Sequence, residues 1–507
     1  MTKKEIERLT EVEKITEQYF KEWGLLTTEI MFEVTTAQRV LEGMSYMFPT
    51  NFSHWTFGRD YEYHRTVYEH TGRGIPYEQV WNFNKPRAFL VETNPFALNA
   101  TIVGHVFGHV DYFLGNKYLQ HGRSYSDIAQ EAKDAAIRFA KYEEKHGSEV
   151  EKVIDAGMSI MWHQDPDPFF EEPEEELIRE RLIELERAKL ETHNDVASKF
   201  KSPETKAQIE EIEKGLERLA VRTPPQPTYD LLHYLIKKSP RPLKPWMTDV
   251  LTVLRNQARC LAPNMRTKML DEGWATFWHA KTMRRLREDG IITAEEFDTF
   301  NFFHAKVVRK DHKRFNWYGI GLAIFENIEE RWNKGQFGHE YEEERNLHKR
   351  VNWNTKAGLG LQKIKEVRSY YTDRMAVEEF FTDEFIREQE LYIWATIEDG
   401  DGDYLDIIAE DDPKVIRQVL KSMFSSYGGA LITVEDGNYQ DRQQLFLRHI
   451  DTGFELDPKY RDLTLKNIHY LWGRRVYLSC KEEDKDKIFS FDHENRKTGK
   501  PNIHETP

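Results

Sequence analysis

An α+β protein is predicted, with a mainly helical N-terminal domain that contains a small sheet and a smaller α+β domain after it. Three observations lead there. Apolar runs at helical spacing dominate the first three quarters of the chain, densest near 94–116 and 269–279. Two short β-like runs, Gln79 to Phe83 and Arg87 to Glu92, stand just before the first of these. From Leu391 onward, strand-like and helix-like stretches alternate every few residues.

The size and composition fit this plan. A chain of 507 residues exceeds the roughly 250–300 at which one core stops growing, so at least two domains are expected. A hydrophobic content of 39%, with 30 Phe and 23 Tyr, is enough to fill them. The formal charge of −15 argues against nucleic acid or an anionic membrane as the main partner, because binding a polyanion takes clustered Lys and Arg. The N-terminus alternates charges where a signal peptide needs an apolar centre, and no apolar run reaches spanning length, so a cytoplasmic protein without an integral membrane segment is expected. Cys260 and Cys480 stand far apart, which excludes a disulfide framework or a cysteine-based zinc site. Any metal must therefore rest on histidines and carboxylates.

In chain order, residues 3–24 read as an amphipathic helix, with Leu9, Val12, Phe20 and Trp23 near helical spacing and Gly24 as its stop. Phe48-Pro49-Thr50-Asn51 reads as a turn into the aromatic segment that carries His54. The two β-like runs form a hairpin through Asn84-Lys85-Pro86, and Asn94-Pro95 offers an N-cap followed by proline in the first helical position. Residues 126–162 are helical. From Asp165 the composition turns to Asp-Pro repeats and then to a Glu, Arg and Lys-rich run. The stretch 165–225 is thus expected to be a charged helical arm inserted in a main domain of residues 1–388, either a solvated face or, over 165–222, a place for a protein partner. Residues 389–480 are expected to form the small domain in the order β-β-α-β-β-α-β, and 481–507 a disordered, charged tail. No repeat, phosphate-binding loop, dinucleotide fingerprint or nucleophile elbow is present.

Chemistry concentrates in two helical stretches. In Thr101–Asn116, His105, His109, Tyr112 and Asn116 share one stripe, while Gly104, Gly108, Asp111 and Gly115 share its neighbour. The glycine side would let another backbone come close. In Met269–His279, Glu272, Thr276 and His279 form a polar line among Trp274, Phe277 and Trp278. Two imidazoles one turn apart reach a single Zn²⁺, and Glu272 suits the third position, with His279 as an alternative or fourth ligand. A hydrogen-bonded polar core explains the same pattern. The Glu that activates water in His-Glu-x-x-His enzymes is replaced here by Val106, so a general base or acid has to come from Asp111, Glu272, His279, His54 or Tyr318. Asp111 would alternatively orient a ligand imidazole, and Tyr318 would donate to an oxyanion. His54 and His304 read as packed, hydrogen-bonded residues.

Taken together, His54-Trp-Thr-Phe-Gly58, Gly108-His-Val-Asp-Tyr-Phe-Leu-Gly-Asn116, Asp271-Glu-Gly-Trp-Ala-Thr-Phe-Trp-His279 and Leu471-Trp-Gly473 resemble the stage V sporulation protein R (SpoVR-like) family. The resemblance implies a cytoplasmic protein needed for assembly of the spore's peptidoglycan cortex. Asp271 stands where the family usually has Asn, and Trp317 where Pro is expected. Asp-Glu-Gly-x-Ala is also similar to the second motif of gluzincin metallopeptidases, whose Glu is the third zinc ligand. That analogy implies a metallopeptidase-like N-terminal domain with His105, His109 and Glu272 as a zinc triad. Catalysis would then fall to Asp111, His279 and Tyr318, on peptide or amide bonds of a cell-wall precursor or a protein. A non-enzymatic assembly or regulatory protein of sporulation is the competing expectation.

Overall fold

The computed structural model describes residues 1–45, 52–71, 78–83, 85–123, 128–165, 167–169, 173–199, 203–310, 315–398, 404–425 and 429–505. The architecture is α+β and mainly helical, and the chain divides into two units. The first comprises Met1–Ala136 and Cys260–Tyr427, the second Ile137–Arg259 and Gly428–Pro507.

The first unit opens with α1 (Lys3–Glu22). Thr2 and Glu5 cap it reciprocally, and Gly24 follows in the left-handed conformation as the expected stop. Then come β1 (Met31–Thr35), α2 (Ala37–Ser45), α3 (Trp55–Thr71), β2 (Glu78–Trp81), β3 (Arg87–Val91) and α4 (Phe96–Gly115). The hairpin expected before the His-bearing helix is present, with Val80 opposite Ala88. β1 adds a parallel partner on the other side of β3, giving the order β1-β3-β2. This strand was not expected. Its alternation, exposed Met31 and Glu33 against half-buried Phe32 and Val34, covers only five residues. α4 begins one residue later than expected, because Pro95 keeps an extended backbone as the N-cap residue and Asn94 turns its amide to Asn99 at 3.1 Å. The turn expected at Phe48-Pro49-Thr50-Asn51 lies outside the described residues.

After α5 (Lys117–Arg123), the chain passes through α6 (Ile128–His146), α7 (Glu149–Met158), α8 (Glu175–Lys199), α9 (Pro203–Val221), α10 (Leu231–Lys238) and α11 (Pro245–Arg266). α8 and α9 pack on each other, and no residue of α9 is buried; both helices fall in the second unit, not in the main domain into which the charged arm was expected to be inserted. The first unit resumes with α12 (Lys268–Glu288), α13 (Ala294–Val307) and α14 (Trp317–Lys334). Short helices α15 (His339–Glu342), α16 (Leu347–Val351), α17 (Gly360–Tyr370), α18 (Asp373–Phe380) and α19 (Asp383–Glu388) lead to the hairpin β4 (Ile393–Glu398) and β5 (Tyr404–Glu410), then to α20 (Pro413–Ser425).

The core of this unit lies around α4, α12 and α14. Phe20 packs on Phe107 with ring centroids 5.5 Å apart, Trp23 on Trp278 at 5.2 Å and Trp274 on Phe325 at 5.1 Å. Each of these rings that is fully buried contributes on the order of 2–3 kcal/mol; Trp23 is half-buried. Ile416 and Leu420 of α20 belong to the same core. That packing ties the hairpin and α20 to the first unit, so the expected boundary at 388/389 gives way to a break after Tyr427.

The second unit's sheet contains β6 (Ile432–Tyr439), β7 (Gln444–His449), β8 (Val476–Glu482), β9 (Lys485–Phe491) and, beyond α22 (Asn495–Thr498), β10 (Asn502–Glu505). Its order is β10-β9-β8-β7-β6. β7 and β8 run parallel through the crossover helix α21 (Pro458–Trp472), and the other pairs are antiparallel. The disordered tail expected over 481–507 is therefore corrected, since β9 and β10 are ordered members of this sheet. Charged residues outnumber apolar ones there, yet Phe489, Ser490 and Phe491 at the end of β9 are all fully buried.

Candidate metal centre

Most helices expose one face to water, but α4 is buried from Phe96 to Phe113 and α12 over most of its length. Two central helices can approach closely only if one of them lacks side chains at the contact. A Cβ added at Gly108 would stand 2.6 Å from the Ala275 Cα, and one added at Gly273 would stand 2.4 Å from the Gly321 Cα. The expected close approach at the glycine stripe is thus made by α12 against α4, with α14 on the other side of α12. Helix α12 is fixed at its start by Asp373, whose carboxylate accepts from the Met269 and Leu270 amides at 2.9 and 3.0 Å. Burial pushes this carboxyl up to about 8, against the pull of those two amides.

This approach brings the two polar stripes together. His105 and His109, one turn apart, meet edge to face with ring centroids 4.6 Å apart. Glu272 Oε2 lies 3.3 Å from His105 Nε2 and 3.4 Å from His109 Nε2. One ligand atom from each of these three buried residues falls within 4.8 Å of the other two. In a tetrahedral zinc site with bonds of about 2.0–2.2 Å, neighbouring ligand atoms stand roughly 3.3–3.6 Å apart. Both contacts of Glu272 have that spacing, so the donor set fits a divalent metal in chemistry and in geometry.

The surroundings fix these three side chains. Asp271 Oδ1 lies 2.7 Å from His109 Nδ1, which leaves Nε2 directed at Glu272. Lys268, one turn before Glu272, donates to its other oxygen, Oε1. His279 Nδ1 lies 2.9 Å from His105 Nδ1, and His279 Nε2 lies 2.8 Å from His304 Nδ1. Three imidazoles thus form a line from the buried His105 to the half-buried His304. Tyr318, whose amide is held by the Asn316 side chain at the start of α14, stacks on the His105 ring at 6.2 Å and 26°.

The electrostatics are those of a concentrated charge site. Burial by itself pulls His109 down, but the Asp271 and Glu272 carboxylates more than reverse it and hold the imidazole up at about 10. Burial pulls Glu272 up, and Lys268 and His109 outweigh it, keeping this carboxylate well below its usual range. His279 is pushed well below the ordinary histidine value by burial and then by His105 and His304.

The candidates named from sequence thus separate. His105, His109 and Glu272 come together, with Tyr318 beside them. His279 stands behind His105, on its Nδ1 side, outside the group formed by His105, His109 and Glu272. Asp111 is elsewhere: it accepts from the Leu26 amide at 2.7 Å and the Trp274 indole at 2.9 Å and pairs with Arg368 at 3.3 Å. The carboxylate beside His109 is that of Asp271, because Asp111 falls on the glycine stripe, away from the histidines. His54 packs against Phe57 and lies 2.7 Å from the Thr56 hydroxyl, and His304 joins the imidazole line. Lys268 has the helical spacing of an i,i+4 partner for Glu272, the signal by which it was identifiable.

Comparison with known proteins agrees with the resemblance. A family model described as SpoVR like protein matches residues 3–428, and one described as SpoVR-like C-terminal domain matches 430–483. The chain belongs to the SpoVR family. The two SpoVR matches meet at one of the three points where the contacts divide the chain, after Tyr427; the other two, after Ala136 and Arg259, fall within the first match. A relative, the uncharacterized protein YcgB of Escherichia coli (strain K12), is 25% identical over 491 residues, covering 94% of this chain and 91% of the relative. No solved structure matches. Among the described residues, no helix is long and apolar enough to cross a membrane.

Proposed function

We propose that this SpoVR-family chain is a zinc-dependent hydrolase of peptide or amide bonds, acting in the cytoplasm on a cell-wall precursor or a protein during spore cortex assembly. The observation that carries this reading is that Glu272 Oε2 stands at zinc-ligand spacing from both His105 Nε2 and His109 Nε2, with one ligand atom of each of the three buried residues within 4.8 Å of the others. A zinc ion held there would polarise a carbonyl and make water a nucleophile near neutral pH. The protein's own groups do the rest. Asp271 orients His109, and Lys268 occupies Glu272 Oε1 so that only Oε2 faces the imidazoles. Tyr318, whose ring stacks on His105, would donate to an oxyanion, and the line from His105 through His279 to His304 gives protons a route out of the buried site.

A second reading, an assembly or regulatory protein without catalysis, draws on the Lys268 contact. With Lys268 on Glu272 and His109 between two carboxylates, the charges balance without an ion. The discriminating experiment pairs Glu272→Gln with zinc addition. Under the hydrolase reading, zinc raises the melting temperature of the wild type but not of the variant, and a folded variant fails to restore sporulation. Restored sporulation by a folded Glu272→Gln protein would favour the assembly reading.

A further inference from the structure

The hairpin β4–β5 in the first unit is not absorbed by the metal centre. Both of its outer edges lack a strand partner among the described residues. A two-stranded ribbon is marginal on its own, and open edges invite a further strand. Cross-strand pairing sorts its side chains. One face carries Trp394 opposite Ile408, then Thr396 opposite Asp406 and Glu398 opposite Tyr404; the other carries Ala395 opposite Ile407 and Ile397 opposite Leu405. The second face is apolar and open, with Ile397 at 44% exposure and Leu405 at 50%. The first borders a cavity of about 590 Å³ whose walls include Phe315, Ile320, Leu391, Trp394 and Ile408, with the carboxylate of Glu326 among them. Between residues 393 and 412 the sequence has eight acidic residues and no Lys, Arg or His.

We infer that the open edge of this hairpin binds an extended segment of a partner protein in which basic and apolar residues alternate. An added strand sends successive side chains to opposite faces. Its apolar set would cover Ile397, Leu405 and Ile407, while its basic set would face Asp406, Glu398 and the Glu326 side of the cavity. The charge selects the occupant. A second copy of this chain would set the acidic ribbon against itself, and nucleic acid or an anionic membrane would be repelled. The inference is independent of the metal.

The test is binding of a short, end-blocked peptide alternating Lys and Val to the full chain, followed by calorimetry and tryptophan fluorescence. A Glu/Val peptide and a Lys/Val peptide N-methylated at alternate backbone nitrogens serve as comparisons. The Lys/Val peptide is expected to bind once per chain, more weakly as salt rises, and the other two to bind at least about tenfold more weakly. Ile397→Ser with Leu405→Ser, and Glu398→Lys with Asp411→Lys, change exposed positions and should leave the melting temperature unchanged while each weakens binding about tenfold. Absence of Lys/Val binding, equal binding of the Glu/Val peptide, or unchanged affinity in both folded double variants would overturn the inference. So would dimerisation of the wild type that these variants abolish, since the occupant would then be a second copy.

Discussion

Asp271 Oδ1 lies 2.7 Å from His109 Nδ1, on the side of the ring opposite Glu272. A carboxylate in that place fixes the tautomer of a ligand imidazole and raises its basicity. Asp271→Ala is therefore expected to lower zinc affinity by about 10–100-fold, with a smaller loss for Asp271→Asn, which still accepts a hydrogen bond. Competition with a chromophoric chelator measures this directly, and equal affinities for all three proteins would remove Asp271 from the site.

Asp111 should behave in the opposite way. Its carboxylate is fully buried and serves Leu26, Trp274 and Arg368, so Asp111→Ala leaves Arg368 as a buried cation without its carboxylate. The expected cost is about 3–5 kcal/mol in chemical denaturation, with zinc content per folded chain unchanged. Loss of zinc without loss of stability would restore Asp111 to the metal centre.

The helix contact gives a steric prediction with an internal control. Gly108→Val drives a Cβ to within 2.6 Å of the Ala275 Cα, and a loss of about 3 kcal/mol or more is expected because backbone cannot yield as a side-chain tip does. Gly58→Ala on α3 meets nothing within 4 Å and should gain roughly 0.5–1 kcal/mol from helix propensity. Equal thermal shifts in the two variants would contradict the packing of α4 on α12.

In the second unit, burial holds the His163 imidazole down at about 4. Its folded value lies below its unfolded value near 6.5, so the folded state favours the neutral ring. The stability linked to this group is complete above pH of about 6.5 and is lost as pH falls from there toward about 4, by up to about 3 kcal/mol. Urea melts across that window should show a flatter pH dependence for His163→Phe than for the wild type. Parallel curves would exclude His163 as the cause.

Much of the site could be read from spacing alone. Two histidines at i,i+4 and a glutamate on a second aromatic helix are local patterns, and a glycine stripe announces a close neighbour without naming it. What stayed hidden depends on distant partners. Asp111 and Asp271 are both buried acids beside the motif, and only the packing of α12 on α4 decides which one faces His109. The tail reads as charged because exposed Lys485 and Asp486 open the strand whose far end buries Phe489 and Phe491. The boundary moved because Ile416 and Leu420 complete a core built mainly from residues before 390.

The central claim is that His105, His109 and Glu272 hold a metal, and metal analysis of the intact chain purified without chelator tests it most directly. About one zinc per chain is expected for the wild type, with little left in folded His105→Ala and Glu272→Gln proteins. A folded wild type that contains no metal and acquires none from added zinc would contradict it.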